Sequence, residues 1–153
     1  MNEKPAAKGE STADREFVHS RVIDAPRERV FRAFSDPAHL ARWWGPKGFS
    51  NTFEEFDFRS GGRWRFIMHG PDGRNYPNEN VFVDVAPERI VVEHVVGHHF
   101  ELTITLTVQG ERTLVGWRQL FDTAAEKQRI ADFVTEANEQ NLDRLAAEVL
   151  NVA

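Results

Sequence analysis

Apolar positions along this chain change rhythm twice, from alternation to helical spacing and back. From Glu16 to Asp24, Phe17, His19, Arg21 and Ile23 oppose Val18 and Val22, which predicts a strand. Ala25-Pro26 ends it, and Pro26 suits the first turn of a helix. Val30, Phe31, Ala33 and Phe34 then follow helical spacing. Ser35-Asp36-Pro37 punctuates, with Asp36 as N-cap and Pro37 at the first position of a second short helix carrying Leu40 and Trp43-Trp44. Gly45-Pro46-Lys47-Gly48 stops it. Six strand-like runs follow: Phe53 to Arg59, Gly62 to Met68, Asn80 to Val85, Arg89 to Val96, Phe100 to Val108 and Thr113 to Phe121. Short turn signals such as Pro71-Asp72-Gly73 and Gln109-Gly110-Glu111 separate them, so consecutive strands are expected to pair antiparallel. From about Ala124 to Leu150, Ile130, Phe133, Val134, Ala137, Leu142, Leu145, Ala146 and Val149 form one helical stripe.

The order strand, two short helices, six strands and long helix predicts an α+β fold: a curved antiparallel sheet of about seven strands wrapped around the C-terminal helix. Residues 1–14 lack periodicity and read as a flexible tail, leaving 15–153 as a single domain. One helix cannot cover so wide a sheet, so the sheet must curl and is expected to leave an apolar pocket beneath the helix. A core filled solidly by aromatic rings is the competing expectation. The candidate lining comprises Trp43 and Trp44, then Trp64, Phe66, Met68, Phe82, His94, Leu102, Ile104, Trp117, Gln119 and Phe121 from the strands, and Phe133, Ala137, Asn138 and Asn141 from the helix.

Composition narrows the function. The chain has 153 residues, 41% of them hydrophobic, with 12 Phe and 4 Trp against 1 Tyr, which suits a dry interior. A formal charge of −5 without a basic cluster argues against nucleic acid as a partner. The chain contains no Cys, hence no disulfide, thiol nucleophile or thiolate metal site. No apolar run is long enough to span a membrane, and the N-terminal segment has no secretory pattern, so a cytoplasmic location is expected.

Candidate chemistry is sparse. Adjacent Trp43 and Trp44 on a helix point about 100° apart, so one can plug the core while the other lines a pocket mouth. Arg63-Trp64-Arg65-Phe66 reads as an exposed basic face opposite a buried aromatic one. His94, His98 and His99 raise the question of a metal, but adjacent strand residues face opposite ways, so no metal and no cofactor is expected. If Phe82 points inward, Asp84 shares its phase and would be a carboxylate in an apolar pocket. A bulge would send it to solvent instead. Asn138 and Asn141 interrupt the helical stripe, and a buried Asn needs partners for its amide.

Asp36-Pro37…Trp43-Trp44-Gly45-Pro46, Gly61-Gly62-Arg63-Trp64-Arg65-Phe66-x-Met68, Pro71-Asp72-Gly73, Pro87-Glu88-Arg89-Ile90 and Leu142-Asp143-Arg144-Leu145, in this element order, resemble the family named for the C-terminal domain of the activator of heat-shock protein 90 ATPase. That family lies within the START-like, or Bet v 1-like (SRPBCC), superfamily. The resemblance runs from about Glu16 onward. It implies a helix-grip fold with a cavity for a small apolar or amphipathic molecule. It also implies, as alternatives, a cavity enzyme of cyclase or hydrolase type using Asp84, His94 or Gln119, or a stress-response module that contacts a chaperone. A homodimer through a sheet edge or helix is a further expectation. Family members often carry Gly-Trp before the closing Leu-Asp-Arg-Leu, where this chain has Ala137-Asn138, so a relative's ligand does not transfer directly.

Overall fold

The computed structural model describes residues 11–153. The first ten residues of the expected tail lie outside the described residues. The rest of that stretch is not loose. Ala13–Arg15 forms a 3-10 turn, Arg15 donates to the Phe121 carbonyl at 3.0 Å, and Arg118 bonds both Thr12 and Glu16. Ordered chain therefore begins before residue 15.

Strand β1 (Glu16–Ile23) leads into helices α1 (Arg27–Ser35) and α2 (Pro37–Trp43). The Asp36 side chain accepts from the Ala38 N–H at 2.9 Å and caps α2, with Pro37 at its first position. Strands β2 (Ser50–Phe56), β3 (Arg63–His69), β4 (Asn75–Ala86), β5 (Arg89–His94), β6 (Phe100–Gln109) and β7 (Arg112–Phe121) follow. Helix α3 (Ala124–Val149) closes the chain, capped by the Thr123 hydroxyl accepting from the Glu126 N–H. All seven strands form one antiparallel sheet in the order β1-β7-β6-β5-β4-β3-β2. The α+β helix-grip architecture expected from the residue pattern is the one observed.

Two bulges shape the far side of the sheet. In β2 the register shifts between Phe53 and Glu55. The extra residue lets Phe53 and Phe56, three apart, both face inward while Glu54 and Glu55 both face solvent. The strand is accordingly placed at Ser50–Phe56 rather than Phe53 to Arg59. In β4 the shift falls between Phe82 and Asp84. Asp84 is thereby turned outward, where its carboxylate pairs with Arg89 at 2.7 Å. The carboxylate entertained for the pocket is on the surface.

Strand β4 begins five residues earlier than its sequence pattern suggests. Pro77 lies opposite Ile67 of β3, in a stretch below the last β5 pair, Asn80 with His94. A residue without an N–H is tolerated where only one neighbour claims the strand. His98 and His99 sit in the connection from β5 to β6, not on a strand.

The concave face of the sheet holds two apolar clusters. The larger joins α1, α2 and the C-terminal half of α3 to the middle of the sheet through Val30, Phe34, Trp43, Trp64, Phe82, Ile104 and Leu142, among others. The smaller gathers Phe17, Phe121 and Val134 under the N-terminal half of α3. Phe100 packs against both.

Candidate ligand-binding cavity

Between the two clusters lies a cavity of about 520 Å³, within the range of small-molecule sites. Its sheet wall carries Phe66, Met68, Val92, Leu102 and Trp117, its helix wall Val134, Ala137, Asn138 and Asn141, and its end wall Trp44, Gly45 and Pro46. Tyr76, Val96 and Phe133 stand at the rim, all substantially exposed.

The end wall depends on contacts between two distant sequence motifs. Asn141 accepts from the Gly45 N–H at 3.2 Å and donates to the Trp43 carbonyl at 2.9 Å. The Arg144 guanidinium donates to the carbonyls of Arg42, Gly45, Pro46 and Phe49 at 2.7–2.9 Å. These are carbonyls at and beyond the end of α2, of which that of Pro46 also accepts from the Phe49 N–H at 3.2 Å. Burial lowers the Arg144 pKa from its ordinary value, but a guanidinium remains charged. Gly45 allows the tight turn: its φ is +100°, and a Cβ there would sit 2.6 Å from the Met68 methyl. Trp43-Trp44-Gly45-Pro46 and Leu142-Asp143-Arg144-Leu145 are thus two halves of one joint.

Polar groups punctuate the apolar walls. The Trp117 Nε1–H donates to Asn138 Oδ1 at 3.3 Å, and Asn138 Nδ2 donates to Gln119 Oε1 at 3.0 Å. Across the sheet, His94 Nδ1 lies 2.9 Å from Asn80 Oδ1, and the His94 ring stacks on Phe100 at 4.7 Å. Burial lowers the His94 pKa to about 4, so the ring is neutral at physiological pH. Among the described residues no Asp, Glu, Lys or Arg lines the cavity.

Charges gather outside. His99 bridges Glu93 (2.7 Å) and Asp122 (2.8 Å), whose carboxylates raise its pKa, and His98 approaches Glu126 at 3.3 Å. These pairs fasten the β5–β6 connection to the start of α3 beside the rim. Among the described residues no group of three or more His, Cys, Asp or Glu side chains is arranged to hold a metal. Arg63 and Arg65 face outward and pair with Glu54, Glu55 and Glu79.

Of the residues nominated from sequence, Trp44, Phe66, Met68, His94, Leu102, Trp117, Gln119, Phe121, Phe133, Ala137, Asn138 and Asn141 surround this cavity. Trp43, Trp64, Phe82 and Ile104 do not. They fill the closed end. Trp43, 1% exposed, packs edge-on against Phe34 and donates to the Ala33 carbonyl at 2.8 Å. Trp64 stacks between Phe66 and Phe82, and Ile104 is sealed beneath α1 and α3. Phe133, assigned to the buried stripe, is 66% exposed because α3 extends past the sheet's cover at the mouth. Solid aromatic core and open cavity coexist, one at each end.

Asn80 was missed. It is 2% exposed and faces His94 across the β4–β5 pair. Its signal was its two-residue offset from inward-facing Phe82, obscured by the polar Asn75-Tyr76-Pro77-Asn78-Glu79 run before it. Phe100, Ile130 and Val134, which the sequence puts in a strand-like run and on the helical stripe, also line the cavity.

The family described as Activator of Hsp90 ATPase homolog 1-like protein matches residues 24–149. Among solved structures, a protein from Arthrobacter aurescens superposes with a TM-score of 0.85 at 24% identity, over 94% of this chain and 91% of that one. A Chromobacterium violaceum protein gives 0.75 at 29% identity, over 86% and 95%. An AHSA1 protein from Silicibacter pomeroyi gives 0.69 at 22%, over 89% and 98%. No curated protein is a significant match.

Proposed function

The chain belongs to the Activator of Hsp90 ATPase homolog 1-like family, and we propose that it binds a small hydrophobic or amphipathic molecule in the cavity under α3. The fold is of the START/Bet v 1 type, which commonly binds hydrophobic ligands. The observation that carries the reading is a roughly 520 Å³ apolar volume left open in an otherwise tightly filled interior. Solid packing was available to a chain with this many aromatic residues, and its closed end uses it. Keeping the other end open forfeits dispersion contacts, a cost that a bound apolar molecule recovers.

Binding is favoured over turnover. Acid–base catalysis needs a suitably poised group within reach of substrate. Asp84 lies on the outer surface, no carboxylate of the described residues lines the cavity, and His94 with a pKa of about 4 is a weak base. Native mass spectrometry of the protein purified from its own host is the test. A copurifying apolar species that organic extraction removes is expected; uniformly empty protein that also ignores a panel of apolar probes would sink the reading.

A further inference from the structure

The direction of one hydrogen-bond chain inside the cavity is fixed by chemistry rather than by assignment. An indole N–H can only donate. The atom of Asn138 facing Trp117 is therefore its oxygen, and the atom facing Gln119 is its NH₂. That NH₂ can only donate, so Gln119 must turn its own oxygen toward it. The Gln119 Nε2 donors are left pointing away from the relay. They make no hydrogen bond to any described residue, although Gln119 is 8% exposed and lines the cavity. An unfilled donor on a buried amide seeks an acceptor. Among the described residues no Lys, Arg, Asp or Glu lines the cavity to pair with a charged head, and its two histidines are His94, held neutral by burial, and His98, which already faces the Glu126 carboxylate.

We infer that the cavity selects uncharged molecules whose apolar body carries a hydrogen-bond-accepting oxygen, seated on Gln119 Nε2, over carboxylates and amines with the same hydrocarbon chain. This rests on the binding reading above and narrows it to one ligand class. Trp117 and Asn138 act as positioning residues by denying Gln119 the flipped orientation.

Four probes of equal chain length test it at neutral pH: methyl decyl ketone, dodecane, laurate and dodecylammonium, by Trp fluorescence and calorimetry. The ketone is expected to bind at least tenfold more tightly than laurate or dodecylammonium, because an ion here must shed its hydration without gaining an opposite charge, and one amide donor replaces little of what a carboxylate loses. It is expected to exceed dodecane by about fivefold, one net hydrogen bond. Gln119→Leu should erase the advantage over dodecane while dodecane still binds. If that variant does not fold, the wild-type ratios decide. Laurate or dodecylammonium matching the ketone, or a ketone advantage surviving Gln119→Leu, overturns the inference and leaves cavity binding standing. If no probe binds, dodecane included, the binding reading itself falls and takes the inference with it.

Discussion

Arg144→Met should loosen the end wall of the cavity more than any other single surface-accessible change. The guanidinium makes four hydrogen bonds of 2.7–2.9 Å to the carbonyls of Arg42, Gly45, Pro46 and Phe49. A hydrogen bond to a charged group contributes about 1.5–3 kcal/mol net. The four do not add, because they share one donor plane and water can reach some of the freed carbonyls. A loss of about 3 kcal/mol is expected, out of a typical total near 5–15 kcal/mol, so the variant still folds. Arg144→Lys keeps the charge but not the planar fork, and should recover less than half of the loss. Urea unfolding followed by Trp fluorescence reads both, with an unchanged slope marking a pure stability effect. A Met variant within about 0.5 kcal/mol of wild type, or a Lys variant equal to wild type, would refute the clamp. The Met variant should also weaken probe binding, since Trp44, Gly45 and Pro46 are held by the same bonds and form a cavity wall.

Other expectations concern individual groups. Asn138→Leu strands a buried indole N–H and should cost about 1–2 kcal/mol; in a Trp117→Phe background that cost should shrink by about 1 kcal/mol, and strict additivity in the double-mutant cycle would break the relay. His94 is lowered by burial from 6.5 to about 4, so on acidification the unfolded chain takes up a proton before the folded one does. Stability should therefore fall between those two values, by up to about 3 kcal/mol. His94→Gln should flatten that difference in urea midpoints, and identical acid profiles would contradict it. Phe133→Ser should leave unfolding within about 0.5 kcal/mol, since the ring is mostly exposed, yet weaken binding of dodecane at the rim. Asp84→Asn removes a solvent-facing ion pair and should change stability by under about 1 kcal/mol and binding not at all.

Helices and strands with strong rhythm were legible from sequence. The Asp36-Pro37 cap, strictly alternating β6 and the long α3 lie within a residue or two of where their patterns put them. What escaped was set by non-local geometry. The bulges in β2 and β4 exist because Phe53, Phe56 and Phe82 must all reach one core, which no local period encodes. Strand β4 extends back through the polar run Asn75 to Glu79, which shows no apolar alternation, and Pro77 is accommodated there because its missing N–H costs little where β5 has already ended. Within the site, an inward-facing side chain could be identified by its phase, but not which end of the sheet it served. Trp64 and Phe66 share a phase, and Trp64 fills core while Phe66 meets the cavity. The two Asn residues of α3 were visible as interruptions of its stripe, while their partners, Trp117 with Gln119 and Trp43 with Gly45, required the fold.

The most direct test of a ligand cavity beneath α3 is to map where an apolar molecule goes. Titrating dodecane or methyl decyl ketone into isotope-labelled protein, and following side-chain resonances by NMR, reads the site atom by atom. The account predicts shifts concentrated on the Trp117 indole N–H, the Asn138 amide and the methyl groups of Met68, Leu102 and Val134, with the Trp43 indole, bonded to the Ala33 carbonyl at the closed end, unmoved. Shifts confined to the outer sheet face around Val18 and Val83, with the cavity resonances still, would contradict it.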